Sequence, residues 1–102
     1  MLMKKMNITQ IDIENGKVQG YLIDLGKAPL LILKADRGYL MCGYLNINAA
    51  NSLGDIAGRV TSVRTFDDML NAKVIEISDN GLKIGLHVGG TGREFLNKLL
   101  DC

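Results

Sequence analysis

The sequence predicts an α+β fold: two N-terminal β-hairpins, then helices packed on one face of a mixed sheet in a two-layer sandwich, with a C-terminal helix. Three observations carry this. Residues 6–45 hold apolar runs, alternating or continuous, cut by turn signals. From Asn46 onward the apolar residues recur at helical spacing. The last stretch carries its own helix-start signal and a single apolar stripe. Strands first and mixed elements afterwards is the order of an α+β chain.

Residues 6–14 read as the first strand, with Ile11 and Ile13 alternating against Gln10, Asp12 and Glu14. Ile8 falls out of phase, which a bulge at Thr9-Gln10 would accommodate. Asn15-Gly16 is the strongest short hairpin signal, and residues 18–25 return as the second strand. Gly26-Lys27-Ala28-Pro29 breaks it. Leu30-Leu31-Ile32-Leu33 does not alternate, the pattern of a strand covered on both faces. Ala35-Asp36-Arg37-Gly38 forms a turn and residues 39–45 the return strand, placing Leu40 and Cys42 on one face and Tyr39 and Met41 on the other.

Asn46 is the expected N-cap of the first helix, in which Ile47, Ala50, Leu53, Ile56 and Ala57 share a face. Asp55 and Arg59 are spaced to pair along it, and Gly58 ends it. Residues 60–64 have the length of a short strand. Thr65 and Asp68 form a capping box for a short helix through Leu70, with Asp67 and Asp68 at its positive end. Residues 73–77 are again β-like. Residues 79–88 fit two readings. Leu82, Ile84, Leu86 and Val88 alternate after an Asp-Asn-Gly turn, which suits a strand. The same residues also suit one or two helical turns starting at Ser78 and stopped at Gly85. Thr91-Gly92-Arg93-Glu94 is a capping box, and Phe95, Leu96, Leu99 and Leu100 complete the apolar stripe of a terminal helix over residues 92–100.

Composition limits function. At 102 residues and 47% hydrophobic but 5% aromatic, the chain suits a single domain with an aliphatic core. A net charge of +1 lacks the footprint of a nucleic-acid binder. No apolar run approaches the ~20 residues of a membrane span. The basic start, Met1 to Met6, is not followed by an apolar stretch and cleavage site, so no signal peptide is expected. Two distant cysteines in such a chain read as reduced thiols in the cytoplasm, with terminal Cys102 a bystander. One histidine and two scattered cysteines offer no metal-ligand spacing, and no cofactor motif is present.

The first hairpin carries apolar residues on both faces: Val18 and Leu22 on one, Tyr21, Ile23 and Leu25 on the other. A two-stranded ribbon is marginal alone. A homo-oligomer formed through residues 6–25 is therefore expected.

Two places carry candidate chemistry. Cys42 could act as a nucleophile if a base such as His87 or a helix terminus lowered its pKa; its apolar neighbours Leu40, Met41, Tyr44 and Leu45 favour a small buried hydrophobe instead. Gly89-Gly90-Thr91-Gly92-Arg93 enters a helix, so its backbone N–H groups and the Arg93 guanidinium could receive an anion. An ordinary capping box explains the same residues, and no phosphate-loop fingerprint is matched. Asn46, with Asn48 and Asn51, supplies amides near Cys42 that could meet a substrate, though capping explains them as well. Asp67 and Asp68 are adjacent on a helix and diverge, so they do not pair as acid and base.

The segments Pro29-Leu30-Leu31, GYLMCGYLN over residues 38–46, Leu53-Gly54-Asp55, Asn71-Ala72-Lys73-Val74 and Gly89-Gly90-Thr91-Gly92-Arg93-Glu94 together resemble the YunC-like family (domain of unknown function 1805) of bacteria and archaea. The likeness runs from about residue 6 to residue 100, with GYLMCGYLN and TGRE its most specific parts. The resemblance implies a compact α/β domain, a helix at residues 79–84, and tetramerisation through the N-terminal β region. Asn80-Gly81 departs from that helix, being a poor helix interior. No reaction comes with the resemblance. The residues thus support a non-catalytic oligomeric domain that binds a small anion or a protein partner, or alternatively a small enzyme with Cys42 as nucleophile, His87 or a carboxylate as base, and Gly89 to Arg93 as the anion site.

Overall fold

Six strands hydrogen-bond in sequence order into one mixed sheet: β1 (Met6–Ile13), β2 (Gly16–Asp24), β3 (Pro29–Lys34), β4 (Tyr39–Met41), β5 (Ala57–Arg59) and β6 (Glu76–Ile77). The computed structural model describes residues 6–101. The leader reading of residues 1–5 and the reading of Cys102 lie outside the described residues. Among the described residues only the β4–β5 pair is parallel, and its crossover contains α1 (Ile47–Leu53). The remaining helices are α2 (Phe66–Asn71), α3 (Asp79–Lys83) and α4 (Gly92–Asp101). Among the described residues no helix is long and apolar enough to cross a membrane.

The mixed sheet and terminal helix match the α+β expectation. The inner face presents Ile11, Ile13, Val18, Leu22, Leu31, Leu33 and Leu40, aligned by the antiparallel register. Helices α2 and α4 cover it with Met69, Leu70, Phe95, Leu96 and Leu99, all buried. Two glycines admit two rings: a Cβ at Gly20 would lie 2.8 Å from the Phe66 ring, and one at Gly58 2.8 Å from the Phe95 ring. Helix α1 is the exception to single-face packing. Its Ala50 packs on Met41 and Ala57, beside Tyr39, on the outer face at the β4–β5 end.

The outer face of β1–β3 has no such cover. Leu31 and Leu33 are fully buried, but Leu30 and Ile32 are only half-buried. Both sides of β3 are apolar, and one still faces solvent.

Several boundaries differ from the sequence expectations. The β1–β2 register runs without a bulge from Met6↔Ile23 to Ile13↔Gly16; Ile8 is out of phase because it points outward beside Tyr21. The first helix stops at Leu53, since Gly54 takes a left-handed φ of 78° and its N–H turns back on Ala50 and Asn51. Ile56 and Ala57 therefore lead into β5, their helical spacing coincidental. Gly58 sits inside that strand. Residues 60–64 are irregular, and β-structure in 73–77 reduces to β6 and a Lys73↔Thr91 bridge. Asp55 and Arg59 do not pair. Tyr39 Oη donates to Asp55 Oδ2 at 2.7 Å, and Arg59 Nη1 meets Glu76 Oε1 at 2.8 Å.

Residues 79–83 are helical. Ser78 Oγ accepts from Gly81 N–H at 3.4 Å, and a Cβ at Gly81 would come 2.6 Å from Ile77 Cγ2. The poor helix former is there because nothing larger fits.

Candidate functional site

Cys42 stands where β4 ends. Met41 is the last strand residue, and Leu45 N–H closes a turn on the Cys42 carbonyl at 3.1 Å. The return strand is thus shorter than the expected residues 39–45, because the chain turns away from β3 at residues 42–45. Cys42 remains tied to β3: its N–H donates to Leu31 O at 3.2 Å, and Leu31 N–H donates to its Sγ at 3.2 Å. The thiol is free and 2% exposed, on the inner face with Leu40.

The turn opens onto a cleft of about 400 Å³. Ala28 and Pro29 form one side, Cys42 to Tyr44 the second, and Ser62 to Arg64 the third. Tyr44 Oη donates to Ala28 O at 3.2 Å, bracing two sides together. Arg59 Nε donates to Leu45 O at 3.0 Å while its guanidinium is held by Glu76, fixing the turn from below. Ser62 has φ of 61°, the single non-glycine residue in the left-handed region among the described residues. Arg64 Nη2 donates to Lys27 O at 3.1 Å, and the Arg64 backbone N–H donates to Asp68 Oδ2 at 3.0 Å.

The other sequence candidates lie elsewhere. His87 lines a separate cleft of about 260 Å³ with Gly90, Glu94 and Lys98, which shares no residue with the Cys42 cleft. Three backbone donors of the Gly89–Arg93 loop are already committed. Gly89 N–H goes to Val74 O at 3.0 Å, Thr91 N–H to Glu94 Oε1 at 2.9 Å and Gly92 N–H to Ala72 O at 2.9 Å. Glu94 N–H returns to Thr91 Oγ1 at 3.2 Å, completing the capping box. A Cβ at Gly92 would collide with the Met69 carbonyl, so that glycine serves close packing. Arg93 pairs with Glu14 at 3.2 Å across the first hairpin. The Asn97 amide, with Arg93, holds the Glu14 carboxyl below its ordinary pKa. Asn46 Oδ1 accepts from Asn48 N–H at 2.6 Å and caps α1, while Asn51 Oδ1 takes Asp79 N–H at 2.7 Å and joins α1 to α3.

One further group is perturbed. Partial burial and the bond to Asp55 push the Tyr39 hydroxyl from 10.0 to about 12. That pair ties β4 to the loop after α1.

A family model described as "Domain of unknown function (DUF1805)" matches residues 41–99, from the end of β4 through α4. The chain belongs to this family. Among DUF1805 relatives, "Uncharacterized protein YunC" of Bacillus subtilis (strain 168) is 33% identical over 99 residues, covering 93% of this chain and 98% of that protein. The crystal structure of a protein of unknown function, TA1206 from Thermoplasma acidophilum, superposes with a TM-score of 0.86 at 48% identity and covers 92% of each chain. The YunC-like resemblance in the sequence is thereby borne out.

Ser62 and Arg64 are the cleft residues that sequence reasoning missed. They lie in a stretch resembling a short strand, and nothing in its composition signals the left-handed backbone at Ser62. The spacing of Arg59 suggests a local partner in Asp55, whereas its partners are 14 and 17 residues away.

Proposed function

We propose that this DUF1805 protein is a self-assembling cytoplasmic domain whose copies join through the outer face of β1–β3 and which binds a small anionic ligand. The observation carrying this is an unpartnered apolar surface made of two cross-strand rows. Ile8, Tyr21 and Ile32 are register partners, and so are Met6, Ile23 and Leu30. Met6 and Ile8 are 58% and 55% exposed, on an edge strand. The hairpin's other end is well anchored: Asn15 N–H and Nδ2 bond Asn97 of α4 at 2.9 and 3.0 Å. At the end that carries the rows the inner face packs on Phe66, and among the described residues no helix covers the outer face.

A second copy suits this surface because the rows are nearly uncharged and made of β-formers, so an identical face is complementary to it. Burying one Ile or Met side chain fully contributes roughly 1.5–3 kcal/mol. Tetramers are the assembly the family resemblance implies. In sedimentation velocity at micromolar concentration the wild type is expected to run as a tetramer. Ile8→Asp, which changes only a solvent-facing side chain of the subunit, is expected to weaken association at least 100-fold while the far-UV spectrum is unchanged. A wild type that sediments as a monomer removes the reading.

A thiol-dependent reaction is the second reading, favoured by the place of Cys42 among the cleft-lining residues and by the Leu31 N–H that donates to its Sγ. Against it stands the position of His87 in a different cleft of the subunit. Iodoacetamide labelling of native protein well below pH 8 is the expected outcome under that reading, and labelling only after denaturation ends it.

A further inference from the structure

We propose that the cleft beside Cys42 is the ligand site, and that it takes a small carboxylate with a short apolar tail, the carboxylate on Arg64 and the tail along Pro29 and Val63 toward the Cys42 sulfur. This rests on the anion-binding part of the reading above and is independent of assembly.

At about 400 Å³ the cleft has the size of a small-molecule pocket. Ala28, Pro29, Val63 and the buried thiol give it apolar walls, and such walls hold the apolar part of a ligand while a few polar groups orient it. The orienting group is Arg64. The chain has four arginines. Arg59 is neutralised by Glu76 and Arg93 by Glu14. Arg64 has no carboxylate within ion-pair distance of its guanidinium among the described residues. Its single side-chain bond, from Nη2 to Lys27 O, leaves other donors of the fork for a carboxylate. Asp68 lies close by, but its Oδ2 takes the Arg64 backbone N–H.

Arg37 is the other arginine without an ion pair among the described residues, and its cleft also contains Asp36 and Asp55, which oppose an anion. The Gly89–Arg93 loop has no cation left to offer. The remaining feature is Ser62. A non-glycine residue held at φ of 61° is strained, and such strain concentrates at ligand clamps. It sits on the cleft wall beside Val63 and Arg64.

Hexanoate is the probe, with hexanol and inorganic phosphate as comparisons. In ¹⁵N-edited spectra of the full chain, hexanoate is expected to shift the amides of Gly43, Tyr44, Ser62 and Val63 in a saturable manner. Arg64→Gln, at an exposed position, is expected to weaken hexanoate by about tenfold or more and leave hexanol unchanged. Ala28→Leu, which narrows the cleft without touching the cation, is expected to weaken both. Equal binding of hexanol and hexanoate, or an unaffected Arg64→Gln, overturns the proposal. Calorimetry separates it from the broader reading. Heat from hexanoate or phosphate with these four amides unmoved leaves anion binding standing and removes this site. No heat from either probe removes both.

Discussion

Replacing Ser78 by Ala should be among the most damaging single-atom deletions in the chain. Ser78 is fully buried, and its hydroxyl serves three partners. It donates to Asp55 O at 2.8 Å and accepts from Ala57 N–H at 2.9 Å and Gly81 N–H at 3.4 Å. These join the entry to β5 and the first turn of α3. Ala57 is itself fully buried, so Ser78→Ala strands its N–H away from water. One unsatisfied buried donor costs about 1–3 kcal/mol, and loss of the cap costs about 1 kcal/mol more. The expected destabilisation is about 2–4 kcal/mol. At about 4–8 °C per kcal/mol for a domain of this size, the melting temperature should fall by roughly 8–32 °C. Urea unfolding at fixed protein concentration measures this, fixed because the proposed self-association would be linked to stability. Asn80→Ala is the control: it removes a single exposed bond, from Nδ2 to Gly54 O at 2.8 Å, and should cost no more than about 1 kcal/mol. If Ser78→Ala lies within 1 kcal/mol of wild type, the hydroxyl is not what satisfies these groups and the reasoning fails.

Two other outcomes follow from the same packing. Gly58→Ala places a Cβ 2.8 Å from the Phe95 ring and should destabilise by about 1–3 kcal/mol through overpacking, a loss that Phe95→Leu in the same chain should partly relieve in urea unfolding. Tyr39 holds its proton to about 12 against an ordinary 10.0; the unfolded chain loses that proton first, so the stabilisation is complete below about pH 10 and is lost as pH rises toward 12. The stability gap between wild type and Tyr39→Phe should therefore narrow over that interval, and a constant gap counts against the Tyr39–Asp55 bond.

The sequence revealed what repeats along one element. Asn15-Gly16, the two Thr-led caps and the stripe of Phe95, Leu96 and Leu99 are local patterns, and each stands in the structure at its expected place. What failed depended on partners distant in sequence. Ile56 and Ala57 carry a helical spacing, yet Gly54 ends the helix and Ala57 pairs with Tyr39 in a parallel register. Arg93 looked like an anion's cation because a helix start lies beside it, but Glu14 holds it from 79 positions away. Arg64 carried no local signal, since the cleft it lines is assembled from three separate segments.

The two proposed surfaces share no residue, and this decides how they can be tested. Cys42 shares the inner face with Leu40, and its cleft is closed by residues 28–29 and 62–64. Ile8, Tyr21 and Ile32 belong to the outer face. None of the residues in the two apolar rows lines the Cys42 cleft. The subunit's own contacts, from Tyr44 to Ala28 and from Arg59 to Leu45 and Glu76, hold that cleft in shape. Ile8→Asp should therefore dissociate the assembly while the Gly43, Tyr44, Ser62 and Val63 amides still respond to hexanoate with unchanged affinity. If that response disappears together with the assembly, the cleft is completed by a neighbouring subunit, and the ligand site belongs to the oligomer rather than to the chain.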